Sequence, residues 1–336
     1  MMEVIAQLLQ HKDISASQME EVMQQIMSGN ADTKDIVSFL TALSEKGESV
    51  EELTAAVRVM RQHAAKVITK HKVVLDTCGT GGDSKHTFNI STAAAFVISG
   101  AGLVVAKHGN RSVSSKSGSA DVLEALGIDI NMSAEKVQRC LDDIGIAFLF
   151  AQNFHPATKY VMPARKQIGR RTIFNLLGPL SNPAGATHQL VGVYDKHWVE
   201  IIAKVLANLG SVRALVVHGE DGLDELTTTA KTFISEEIKG RIKNYWVAPE
   251  DFGLKKATLE DITGGDALMN ARIILDILKG NLGPKRDIVV LNSAAAIFAA
   301  DKAGSIKEGI GIAEQSIDSG MALGQLNRLK EYSLLN

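Results

Sequence analysis

Residues 1–68 repeat apolar side chains at helical spacing. Val4, Ile5, Leu8 and Leu9 form one face, and Met19, Val22, Met23 and Ile26 a second. Ile36, Phe39, Leu40 and Leu43 form a third, and Leu53, Val57 and Met60 a fourth. Gly29 and Gly47 fall between these runs. Ser17-x-x-Glu20 and Ser49-x-x-Glu52 predict capping boxes. The expectation is a small helical packing unit with no chemistry of its own.

At Lys72 the pattern changes. Val73–Leu75, Leu103–Ala106, Ala147–Phe150, Leu190–Val193 and Ala214–Val217 are short β-rich runs. Helical patterns alternate with them, at Thr92–Ser99, Val122–Leu126 and Ala134–Ile144. Phe233–Ile238 and Ile242–Val247 predict an antiparallel hairpin at a sheet edge, and the chain from Thr258 onward reads as helices. Alternating strands and helices predict an α/β fold with a central, mostly parallel sheet.

Composition narrows the classes. Apolar residues make up 45% and charged residues 22%, with a net charge of −2. That is ordinary for a globular protein and gives no reason to expect a nucleic acid or a membrane surface as partner. The most apolar stretch, Ala93–Ala106, is broken by Gly100 and Gly102 and is shorter than the roughly 20 residues a membrane helix needs. No signal-peptide pattern follows Met1. Cys78 and Cys140 match no zinc spacing and read as unpaired thiols in a reducing, cytoplasmic compartment.

In open α/β sheets ligands bind beyond the carboxyl ends of strands, so the loops after the β runs carry the candidate chemistry. Asp76-Thr-Cys-Gly-Thr-Gly-Gly-Asp83 offers a glycine-rich anion nest but lacks the Gly-Lys-Ser/Thr of a nucleotide loop. Asn89-Ile90-Ser91-Thr92 then opens a helix, whose N-terminus favours phosphate. The second loop, Lys107-His108-Gly109-Asn110-Arg111-Ser112-Val113-Ser114-Ser115, concentrates cations and hydroxyls suited to another phosphate. The third, His218–Leu226, carries Asp224 and Glu225, with Glu220 and Asp221 nearby. Carboxylates facing a phosphate site need a hard cation between them, and Mg2+ is the natural choice.

These segments, with Gly118–Gly127, Arg171–Leu180 and Gly222–Leu226, resemble the anthranilate phosphoribosyltransferase family in order and spacing over nearly the whole chain. The resemblance implies a nucleoside phosphorylase/phosphoribosyltransferase-like fold. It has a helical domain over 1–70, joined by helices from about 164–186, and an α/β domain over 71–336. It further implies a homodimer through the helical part, Mg2+, and a place in tryptophan biosynthesis. Residue by residue, it implies contacts to 5-phosphoribosyl 1-diphosphate from Gly79, Gly82, Asp83, Thr87, Asn89, Ile90, Ser91 and Thr92. The 107–115 loop and Ser119 join them. Ser91, Asp224 and Glu225 become metal ligands, and Gly79, Asn110, Arg165, His108 and His155 face anthranilate. A guanidinium such as Arg165 suits the acceptor's carboxylate.

Two positions depart from the family's usual pattern: Phe154-His155 stands where two histidines are common, and Thr227 where serine is more usual after Leu226. The implied reaction needs no catalytic acid or base before attack, because an aromatic amine is neutral at pH 7. The glycine and serine loops are expected to move as lids. Two other readings share the fold: a pyrimidine nucleoside phosphorylase, which would need no acidic pair, and a non-catalytic nucleic-acid-binding relative, which should be basic.

Overall fold

The computed structural model describes residues 1–83, 85–112 and 116–335, so the assignments to Val113, Ser114 and Ser115 lie outside the described residues. The chain opens with α1 (Met2–Leu8), α2 (Ala16–Met27), α3 (Thr33–Lys46) and α4 (Val50–Gln62). The apolar faces read from the sequence are their buried faces, except that Leu9 follows α1 and is exposed. The Ser49–Glu52 capping box forms, but the other one sits at Ser15 and Gln18 instead of Ser17 and Glu20. The earlier start places Ile14 and Met19 at the two positions of a hydrophobic staple, and both are buried. A cap at Ser17 would put polar Glu21 at the second of them.

The sheet has seven strands: β1 (Leu75–Gly79), β2 (Val105–Gly109), β3 (Ile146–Phe150), β4 (His188–Gly192), β5 (Arg213–Gly219), β6 (Thr232–Ile238) and β7 (Arg241–Val247). Their order is β3-β2-β1-β4-β5-β6-β7. The first five are parallel, and β6 and β7 close one edge as the antiparallel hairpin. Helices α5 (Ile90–Gly100), α6 (Ser119–Ala125) and α7 (Ala134–Ile144) connect the first three strands. Between β3 and β4 run α8 (Ala151–Phe154), α9 (Met162–Ile168) and α10 (Phe174–Leu180), and α11 (His197–Asn208) precedes β5. The chain ends in α12 (Ala267–Leu278), α13 (Pro284–Ala299), α14 (Ile306–Asp318) and α15 (Met321–Leu334).

Strand alternation sorts the core into two layers. Leu75, Leu190, Leu215 and Val217 pack with α5 and α13 on one face. Cys78, Val191, Ala214 and Val216 pack on the other with α11 and the opening helices. Helices α9 and α10 pack on α3 and α4, so residues 162–180 share the core of the opening helices. Both cysteines are free and buried. Among the described residues no helix is long and apolar enough to cross a membrane.

Strands β1 and β2 reach further than their apolar runs predict, taking in Asp76 and Lys107. The reason is local compensation. The buried Asp76 carboxylate accepts from His108 N at 3.1 Å and from Asn182 Nδ2 at 2.8 Å. The buried Lys107 Nζ donates to the Thr77 carbonyl at 2.7 Å. Buried charges with such partners remain inside a sheet instead of ending it.

Candidate active site

The strand order reverses between β1 and β4, the crevice where a ligand is expected in such sheets. At its mouth Gly79 and Gly192 lie side by side in register. The loop after β5 crosses directly over both. A Cβ on Gly192 would collide with the Asp224 backbone, and one on Gly79 with the Asp224 carboxylate. Glycine is therefore required at both strand ends for the acidic loop to lie this close.

The crossing brings the acidic pair to the first loop and to the start of α5. Gly81 N donates to Asp224 Oδ2 at 2.8 Å, and Ser91 N to Glu225 Oε1 at 3.2 Å. Burial, and then the neighbouring carboxylates, hold Asp224 and Glu225 above the usual carboxylate range. Burial raises Asp83 as well. Lys85 faces Asp83, and Lys107 Nζ faces Glu225; Lys107 also donates to Ser91 Oγ at 3.2 Å and is itself lowered by burial.

Crowded carboxylates, with a hydroxyl beside them, form an all-oxygen donor set that suits a hard divalent cation. Among the described residues, no three His, Cys, Asp or Glu side chains already enclose a metal position. A cation held by Ser91, Asp224 and Glu225 would complete its shell with phosphate oxygens and water.

The remaining candidates surround this crevice unevenly. Gly81 and Gly82 adopt positive φ, and the Gly82 carbonyl accepts from Arg171 Nη2, whose guanidinium lies 3.8 Å from the Tyr194 ring centroid. Asp83 turns the loop by accepting from Lys85 N at 3.2 Å, and Thr87 bridges to Thr263. Asn89 donates to the Ser117 carbonyl at 3.2 Å and accepts from Asn270 Nδ2 at 2.9 Å. Ile90 is in the core with its amide on the Phe88 carbonyl, and the buried Thr92 hydroxyl has no partner.

Arg111, expected to face phosphate, is engaged by Asp121 at 2.9 Å and Glu124 at 2.8 Å. An anion would have to draw it from these carboxylates. Asn110 is exposed, Ser112 N bonds Asp121, and Ser119 Oγ donates to the Asn110 carbonyl at 3.2 Å. Gly109 has no room for a Cβ against Ser119 and Phe148.

On the other face of β2 lies a different environment. Lys107 and His108 are consecutive, so they point to opposite faces. His108 Nδ1 donates to the Gly178 carbonyl at 3.1 Å, and its buried Nε2 has no partner. His155 stands 5.1 Å away, centroid to centroid. Both its nitrogens are buried without hydrogen-bond partners; the Ser181 backbone lies near but closes no bond. Burial pushes His108 down to about 3 and His155 down to about 4, so both imidazoles are neutral. Arg165 on α9 is half-buried, with its guanidinium 5.8 Å from the Phe174 ring centroid.

Asn182 and Asn270 support the site without having stood out in the sequence, and Arg171 opens a segment that carries the resemblance but had no role assigned. Their partners lie far along the chain, so no local spacing marks them. Asp221, read as a neighbour of the acidic pair, instead accepts from Thr227 Oγ1 at 2.6 Å. Thr227 thus keeps the hydroxyl that the more usual serine would supply.

The two-part architecture has a counterpart among known proteins. The helical bundle domain of a glycosyl transferase family matches residues 2–64, and the α/β domain of that family matches residues 71–323. The fold and crevice thus define a glycosyl transferase of the class that joins a helical bundle to an α/β domain. The chain is 53% identical to the anthranilate phosphoribosyltransferase of Clostridium kluyveri, over 98% of this chain and 99% of that one. It is 54% identical to that of Methanocorpusculum labreanum, over 97% and 96%. The crystal structure of the enzyme from Thermus thermophilus superposes with a TM-score of 0.94 at 40% identity, covering 99% of both chains. That from Saccharomyces cerevisiae, solved in complex with PRPP and Mg, gives 0.90 at 31% identity, covering 99% of this chain and 97% of that one. The chain belongs to the anthranilate phosphoribosyltransferase family.

Proposed function

We propose that this protein transfers the phosphoribosyl group of 5-phosphoribosyl 1-diphosphate to the amino group of anthranilate, releasing diphosphate, as a step of tryptophan biosynthesis in the cytoplasm. The observation that carries this reading is the two-sided surface of β2. Its Lys107 side meets an all-oxygen, anion-repelling crevice at the switch point, and its His108 side is lined by the neutral imidazoles of His108 and His155. One face suits a metal-bound diphosphate and the other an aromatic carboxylate.

In this reading Ser91, Asp224 and Glu225 would hold Mg2+, which neutralises charge on the departing diphosphate. Gly79, Gly82, Asp83, Thr87, Asn89, Thr92, Ser119 and the 107–115 loop receive the sugar and its phosphates. The start of α5 adds its dipole. Arg165 grips the acceptor carboxylate, and Asn110, His108 and His155 orient its ring. The amine nitrogen bonds to the ribose carbon as the bond to diphosphate oxygen breaks, and the amine proton leaves afterwards to water. Lys107 and the α5 amides stabilise negative charge on the leaving group. Neutral histidines beside the acceptor leave its amine unprotonated and free to attack.

The protein is further proposed to work as a homodimer through its helical part, where Met2, Leu9 and Met162 are exposed apolar side chains. Light scattering of the purified chain checks this: a mass twice the 36.0 kDa chain supports it and a monomer refutes it.

The acidic pair disfavours the phosphorylase reading, since phosphorolysis by inorganic phosphate has no use for it. Loss of anthranilate fluorescence with phosphoribosyl diphosphate and Mg2+ tests the assignment. Cleavage of a pyrimidine nucleoside by phosphate, without anthranilate turnover, would contradict it.

A further inference from the structure

The acidic pair is anchored from a distant part of the chain. Asn292 lies within α13, where Ile288, Val289, Leu291, Ala294 and Ala295 are buried apolar neighbours, and is itself fully buried. Its Oδ1 accepts from Leu226 N at 2.9 Å. Its Nδ2 donates to Leu226 O at 2.8 Å and to Ile288 O at 2.9 Å. The carboxamide therefore pairs with both backbone groups of one residue, as a neighbouring strand would. That residue directly follows Glu225.

A carboxamide inside an apolar helix face costs desolvation unless all its groups are used, and here they are. What it fixes is a peptide that electrostatics tends to dislodge. Asp83, Asp224 and Glu225 crowd one another, and the direct contacts directing the pair at the first loop and α5 are Gly81 N and Ser91 N. Asp221 braces the loop only locally, through Leu223 N at 3.1 Å and the Thr227 and Thr229 hydroxyls. The Asn292 clamp ties the loop to the scaffold helix.

We infer that Asn292 is a positioning residue for metal binding: it pins the Leu226 peptide so that Asp224 and Glu225 stay directed at the crevice. This rests on the metal-dependent reading above. Partners that orient metal ligands typically control affinity by about 10- to 100-fold.

The test uses Mn2+ as probe, its binding followed by electron paramagnetic resonance in the presence of inorganic diphosphate. In Asn292→Leu the dissociation constant for Mn2+ should rise at least about tenfold, while the Michaelis constant for anthranilate moves less than about twofold. Asn292→Asp, which keeps the acceptor for Leu226 N but loses donation to Leu226 O, should fall between. In a Glu225→Gln background the Asn292→Leu change should add little.

A lowered melting temperature with unchanged Mn2+ affinity would overturn the proposal, leaving a purely structural asparagine. Absence of diphosphate-dependent Mn2+ binding in the unaltered protein would instead overturn the metal reading, and this inference with it. Should neither variant fold, backbone exchange in the unaltered, metal-free protein decides. The Leu226 amide should exchange as slowly as the core of α13, and exchange at loop rates would refute the clamp.

Discussion

The two faces of β2 treat buried polarity in opposite ways. On the crevice face the charged groups are satisfied by backbone or by a hydroxyl: Lys107 by the Thr77 carbonyl and Ser91 Oγ, Asp224 by the Gly81 amide, Glu225 by the Ser91 amide. What this face has in excess is carboxylates that crowd one another. On the bundle face both nitrogens of His155 and Nε2 of His108 are short of partners, not of charge. A site prepared for a metal-bound polyanion is a crowd of oxygens waiting for a cation. A site prepared for a small aromatic acid is a set of directed but unsatisfied groups. On the proposed reading, this contrast distinguishes the donor's face from the acceptor's.

Attacking each face separately sharpens the contrast. The largest effect is expected from Asp224→Asn combined with Glu225→Gln. Mg2+-dependent turnover should fall about 10³-fold, as expected for the loss of electrostatic stabilisation of the leaving group. The metal-free melting temperature should hold or rise, since the variant removes buried like charges. Equal loss of activity and stability would mean that the pair is structural.

Gly192→Ala comes next. The new methyl meets the Asp224 backbone, so about 3 kcal/mol of stability should be lost in denaturant melts along with activity. A neutral outcome would show that the acidic loop is free to lift off the strand ends.

On the acceptor face, Arg165→Ala should raise the Michaelis constant for anthranilate about 10- to 100-fold, the worth of a charge-assisted bidentate contact. The constant for phosphoribosyl diphosphate should stay within about twofold, and the reverse pattern in steady-state kinetics would exchange the two faces.

The effect that is smallest near neutral pH is a pH dependence. Unfolded histidines take up protons below about 6.5, whereas folded His108 and His155 resist until about 3 and about 4. Their contribution is therefore lost as pH falls from about 6.5 towards 4, by about 1.4 kcal/mol per pH unit for each. His155→Asn should flatten the melting-temperature profile in that window, and an unchanged profile would place His155 in contact with solvent.

The sequence shows strand–helix alternation, the edge hairpin and the loops, because each has a local period or a glycine signature. It misjudges where β1 and β2 end, because Asp76 and Lys107 look like loop residues until Asn182, 106 positions away, and the Thr77 carbonyl are brought beside them. The Ser15 cap escapes notice because its competitor at Ser17 has the better-known Ser-x-x-Glu spacing; the staple through Ile14 decides between them. Asp224 and Glu225 are legible as an adjacent pair, but the reason they can reach the crevice is Gly192, an unremarkable glycine at the end of β4. Arg171 and Asn292 act through contacts 89 and 66 positions distant, which no single-chain pattern encodes.

On the proposed reading, the acidic loop lies across two glycines in order to hold a metal on the donor's diphosphate. Diffraction from crystals grown with phosphoribosyl diphosphate and Mn2+, recorded at the manganese edge, tests it most directly. An anomalous peak bounded by Ser91, Asp224 and Glu225 and in contact with phosphate oxygens is expected. A diphosphate bound in the crevice with no peak beside those three residues would contradict it.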